Sequence, residues 1–302
     1  MKHGVLLGLL LTALAVSGCS DDPPAPPIQA APTPVAPPSY DPELEPAAAV
    51  LALVPQDATT VTVTDFEQVR LQLGLPELGQ DEGAAERAAF WRRADAERPL
   101  LSKGMLRPAE SRLERSFGFS QIDVTWEAHI FDADDAETGW VLAFRESTDM
   151  AGVERAVRAA AAPLKDAEVD TSLRLVTHGT TDEPTQSWAS DLETVEMVAL
   201  PANATYLHRG CLDDAPAPVA DLEELDAFAV QFEGTLATAR LGGGRTDLFT
   251  RMRLGAAVPD FSAGYDGGVA DPSSGRIGYE MADPPTAAAL ALKHRLPFAV
   301  CG

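Results

Sequence analysis

Lysine is nearly absent from the chain. Of its 23 basic residues only four are lysine, at Lys2, Lys103, Lys165 and Lys293, and against the 23 stand 46 acids, for a formal net charge of −23. That balance excludes nucleic acid as a partner, because neutralising a run of phosphates needs a basic face. It equally excludes a polybasic grip on anionic lipid. Cysteine and histidine are scarce too, at three and five residues. No His-x-x-x-His, His-x-His or Cys-x-x-Cys spacing occurs, so no metal site is written into local sequence. His129, His178, His208 and His294 are expected to be surface or hydrogen-bonded residues, and His178 and His208 flank the middle of the chain, where they could meet. No Gly-x-Ser-x-Gly elbow is present. Gly242-Gly243-Gly244-Arg245 lacks the Lys-Ser/Thr pair of a Walker loop and is expected to be a plain turn. The Gly- and Asp-rich stretch 264–271 lacks the spaced carboxylates and closing Glu of a calcium loop, and is expected to be a loop. With so many acids, no carboxylate pair can be singled out as a glycosidase dyad.

What is present begins with an address. Met1-Lys2-His3 is followed by an uncharged apolar run at 4–16. That run is too short for the ~20 residues a membrane span needs, and has the length of a signal-peptide core. Val16-Ser17-Gly18-Cys19 follows, and it resembles the lipobox of bacterial lipoproteins. The resemblance implies cleavage before Cys19, lipidation of its sulfur, and anchoring to the outer face of the bacterial cytoplasmic membrane, firm if two or more acyl chains are attached. Cleavage removes Lys2 and no acid, so the charge deepens by one.

Residues 20–46 hold ten of the 24 prolines and no apolar periodicity. They read as a semi-rigid stalk in extended polyproline geometry, reaching on the order of 80 Å. The expected organisation is a signal peptide at 1–18, lipidated Cys19 and stalk to 47, and two halves of a folded body at 48–199 and 200–302.

Within the body, a turn and a β-branched run at 53–64 predict a strand. Helices are expected at 66–73, 83–96 and 108–117. Strands follow at 123–131 and 140–145. In the first of these, Val124, Trp126, Ala128 and Ile130 alternate with Asp123, Thr125, Glu127 and His129, which predicts one buried and one wet face. A helix from Asp149 to about residue 164 and a strand at 172–178 complete the half. The second half opens on an echo: Pro201-Ala202-Asn203-Ala204-Thr205 repeats the pattern of Pro55-Gln56-Asp57-Ala58-Thr59. Strands are expected at 206–210, 226–234, 275–281 and 298–301, with helices at 246–254 and 283–296. The fold class is therefore α+β, with mixed or antiparallel sheets and packed helices, in two related halves each reading strand-strand-strand-helix-strand.

Two cysteines remain once Cys19 is lipidated. In an exported chain Cys211 and Cys301 are expected to pair. On the chain-entropy view, closing a loop of ~90 residues stabilises by about 4–5 kcal/mol.

The stretches 52–78 and 117–131, with Phe90-Trp91 and Arg209-Gly210-Cys211, are similar to a group of uncharacterised actinobacterial lipoproteins. Because that group has no known activity, the resemblance implies no catalytic residues. The expectation is a non-catalytic envelope module that meets an envelope protein, glycan or lipid, with no cofactor and no metal. One alternative is a carrier of a lipid or other apolar ligand. The other is an enzyme whose site would show histidines converging with carboxylates in a deep pocket.

Overall fold

The structure, a computed structural model, describes residues 39–212, 222–258 and 260–302. Cys19, the apolar run and most of the expected stalk lie outside the described residues. Tyr40 packs against the body, and burial lifts its phenol to about 12.

Among the described residues ten strands form one antiparallel sheet, and the class is α+β. The first half contributes β1 (Thr60–Asp65), β2 (Val124–Phe131), β3 (Glu137–Phe144), β4 (Glu168–Asp170) and β5 (Leu175–His178). The second contributes β6 (Ala204–Arg209), β7 (Ala227–Glu233), β8 (Leu236–Arg240), β9 (Tyr265–Asp271) and β10 (Arg276–Met281). Across the sheet the order is β4-β5-β3-β2-β1-β6-β7-β8-β10-β9. Read outward from the central β1–β6 pair, both halves run first, second, third, fifth, fourth strand. Val61 and Leu207 stand six residues after their respective prolines, and they are paired with each other across that centre. A pseudo-two-fold axis through the Val61–Leu207 pair requires this register.

Each half corrects the expected strand-strand-strand-helix-strand order. Its helical segment after the third strand leads into a hairpin, β4–β5 or β9–β10, rather than a single strand, and a further helix follows the hairpin. The unexpected members are β8, which pairs with β7 across a two-residue turn, and the edge strands β4 and β9. Three-residue β4 is too short to show a period, and β9 is the Gly- and Asp-rich stretch that reads as a loop. The expected last strand is also corrected. Pro297–Ala299 forms a 3-10 turn, and only Val300 bridges to Leu212. The Phe298 and Val300 carbonyls accept from the Arg251 guanidinium instead of from a neighbouring strand.

The helices of the first half are α1 (Pro46–Ala49), α2 (Phe66–Gln72), α3 (Ala84–Glu97), α4 (Glu110–Phe117), α5 (Met150–Arg158) and α6 (Leu192–Met197). Those of the second are α7 (Leu248–Leu254), α8 (Phe261–Gly264) and α9 (Pro284–Leu292). Asp65 caps α2 by accepting from the N–H groups of Glu67 and Gln68, and Gly118, with φ 81°, ends α4. Packing rather than charge holds α3. Burying Phe90 and Trp91 stabilises by about 2–3 kcal/mol each, against a fraction of a kcal/mol for the exposed Arg93–Glu97 pair.

One face of the sheet carries two cores, under α2 to α5 in the first half and under α7 to α9 in the second. The other face is treated unequally. In the first half Trp126, Ala128, Ile130, Val141 and Ala143 are buried there with α1 and with the 3-10 turns Val50–Ala52 and Trp188–Ser190. In the second half the same face changes character. A single row of paired residues crosses from Ile130 through Val61, Leu207 and Ala229 to Arg240, Arg276 and Asp271. It begins apolar and ends charged. The parallel row ends in Gln231, Thr238, Gly278 and Val269, and Val269 is 71% exposed.

Candidate functional site

Two places collect chemistry. The first is a polar seam on the helical face, between the two cores. The wet face expected for β2 is not wet. Glu127 is fully buried, because the 98–106 segment closes over it. The Ser102 hydroxyl donates to one carboxylate oxygen. Gln121 Nε2 and the Met105 N–H donate to the other, at 3.0 and 3.2 Å. His129, two residues along β2, places Nε2 3.2 Å from Glu127 and Nδ1 3.4 Å from Glu137. Burial of this ring opposes its charged form, but hydrogen bonds and attraction from the two carboxylates outweigh that and lift it to about 9. The hydrogen bond from His129 in turn holds Glu137 below its ordinary value.

Across the axis, His208 Nδ1 lies 2.8 Å from the Thr60 hydroxyl, and its ring sits 5.6 Å from that of His294. His294 reaches Asp135 at 3.5 Å. His178 does not join them. Three strands separate it from His208, roughly 19 Å at ordinary strand spacing. It stacks on Trp140 instead. The meeting of His208 with His294 has no signal in sequence, because it depends on how the last helix packs over the central strands. Held protonated at neutral pH, His129 is neither a metal ligand nor a general base. The seam therefore reads as a charged clamp across the strands.

The second place is a cleft of about 500 Å³ on the uncovered face of the second half. Arg240, Arg276 and the Gly242-Gly243 backbone line it together with five carboxylates, Glu193 and Glu196 of α6 and Glu223, Glu224 and Asp226. Arg245, nearby, is tied to Asp247 at 3.1 Å. In a second cleft of about 670 Å³, beside α3, two of the three guanidiniums are matched, Arg87 with Glu114 at 2.9 Å and Arg107 with Asp95 at 3.0 Å, and Arg92 is exposed.

Cys211 and Cys301 lie beside the first cleft, with sulfurs at bonding distance and Cα atoms 5.6 Å apart. Glu224 Oε2 is 3.6 Å from Cys211. Sulfurs bonded to each other are not thiolates, so this trio holds no metal. No protein-family model matches the chain, and neither does any curated protein or solved structure.

Proposed function

We propose that the chain is a lipid-anchored envelope protein that acts by binding rather than catalysis, with the uncovered sheet face of its second half as the working surface. The observation that carries this reading is the unequal covering of two topologically equivalent halves. The first half buries Trp126, Ile130 and Val141 where the second carries Arg240 in the cleft wall beside exposed Arg276 and Val269. A rigid sheet holding polar groups at fixed spacing over an open cleft is suited to recognition. The reading as a carrier of an apolar ligand has less support, because packed side chains occupy the space between sheet and helices on both sides of the axis. Anchoring rests on Cys19 at the end of the apolar run, and the cysteine pair suits an oxidising compartment.

The test is to express the full chain in a bacterial host and to determine the mass of its N-terminal peptide and its partition between membrane and soluble fractions. The expected peptide begins at Cys19 and carries a diacylglyceryl group, and Cys19→Ser loses that mass. Recovery of the wild-type chain with residues 1–18 still attached, or with Cys19 unmodified, contradicts the anchor.

A further inference from the structure

Five arginines are buried among the described residues: Arg70, Arg87, Arg240, Arg245 and Arg251. Four have a carboxylate within 3.7 Å, and Arg240 has none. Its Nε donates to Gln231 Oε1 at 2.8 Å, and Gln231 is fixed in turn by donating to the Leu200 carbonyl at 2.8 Å. This orients the guanidinium and leaves both Nη groups without an acceptor among the described residues. Directly opposite on β10 stands Arg276, exposed and also outside any ion pair among the described residues. Asp271, across from Arg276 on β9, makes no ion pair with it. The Asp271 carboxylate accepts from the Ser273 and Ser274 hydroxyls at 2.6 and 2.5 Å. Like charges facing each other across a strand pair are destabilising. Burial and the charge of Arg276 both hold the Arg240 guanidinium below its ordinary value.

The spacing of the pair is fixed by its surroundings. Gly275 adopts φ 63°, and a Cβ there would collide with the Gly242 carbonyl oxygen. The Leu241 N–H donates to Gly275 O at 2.9 Å. The turn before β10 is thereby locked to the segment after β8.

We propose that Arg240 and Arg276 together bind a small oxyanion of the phosphate type in the cleft they line. The inference rests on the proposed working surface and names its ligand class. Guanidinium forks match phosphate oxygens in geometry as well as charge. A dianion neutralises both cations, whereas a carboxylate neutralises one. The five carboxylates that share the cleft repel any extended polyanion, so the ligand is compact.

The test is thermal unfolding of the full chain in detergent at pH 7.5, in sodium phosphate against sodium chloride of equal ionic strength. At ten times its dissociation constant, phosphate should raise Tm by about 3–5 °C in the wild type. The same rise is expected in Arg92→Gln, which removes an exposed arginine from the α3 cleft. It should vanish in Arg276→Gln, whose Tm in chloride equals or exceeds that of the wild type because a repulsion has gone. An equal rise in Arg276→Gln, or none in the wild type, overturns the proposal. An equal rise with acetate overturns the phosphate class. None of these outcomes involves Cys19, so the ligand and the anchor fail separately.

Discussion

Both halves of the sheet run in the same strand order from the central pair, yet the first is covered on both faces and the second on one. Their helical faces are alike: Phe90, Leu113 and Phe144 fill one core, and Phe228, Phe261 and Phe298 fill the other. Their opposite faces differ, with Ile130 and Val141 on one side of the axis and Arg240 and Arg276 on the other. Because the helical-face cores suffice to order the strands, the other face is free to bury apolar surface in one half and present charge in the next. A duplicated topology separates what the fold needs from what a surface can do.

Buried charge sharpens the comparison most. Each half encloses one fully buried arginine, but Arg70 in the first leans on backbone carbonyls and on an exposed Glu67 at 3.7 Å. Burial and repulsion from Arg145 hold Arg70 at about 10. Arg251 in the second has buried Asp247 at 2.7 Å, and Asp247 also holds Arg245. Asp247→Ala strands two buried cations and should cost about 3–5 kcal/mol in urea unfolding. Glu67→Ala should cost less than about 1 kcal/mol. Equal losses would break the contrast.

The seam adds a smaller, pH-dependent difference. His129 rises from 6.5 in the unfolded chain to about 9 when folded. Its stabilisation is therefore complete below about 6.5 and is lost as pH climbs through about 9. Between pH 7 and 10 the wild type should lose roughly 2–3 kcal/mol more than His129→Gln does. Parallel pH curves for the two proteins would show that the clamp contributes nothing.

Much of this architecture is legible in sequence where burial is one-sided or turns are marked. The two Pro-x-Asx-Ala-Thr turns locate β1 and β6. Alternation finds β2 and β7, and Asp283 with its prolines locates the start of α9. Strands β8 and β9 are not legible, because β8 is five residues of mainly small and polar side chains, and Gly267, Gly268 and the exposed Val269 of β9 follow no burial period. Nor is the burial of Glu127. Its partners Ser102 and Gln121 come from a segment whose path over the sheet is set by tertiary packing. The arginine pair is invisible for the same reason. Arg240 and Arg276 are far apart in the chain, and only the β8–β10 register sets them side by side.

The most direct test of the second half's working surface is an arginine-specific dicarbonyl footprint of the full chain, read by mass spectrometry with and without phosphate at constant ionic strength. Arg276 should be modified in chloride and protected in phosphate, while Arg70 and Arg251 stay unmodified in both. Equal modification of Arg276 in the two buffers would contradict the account.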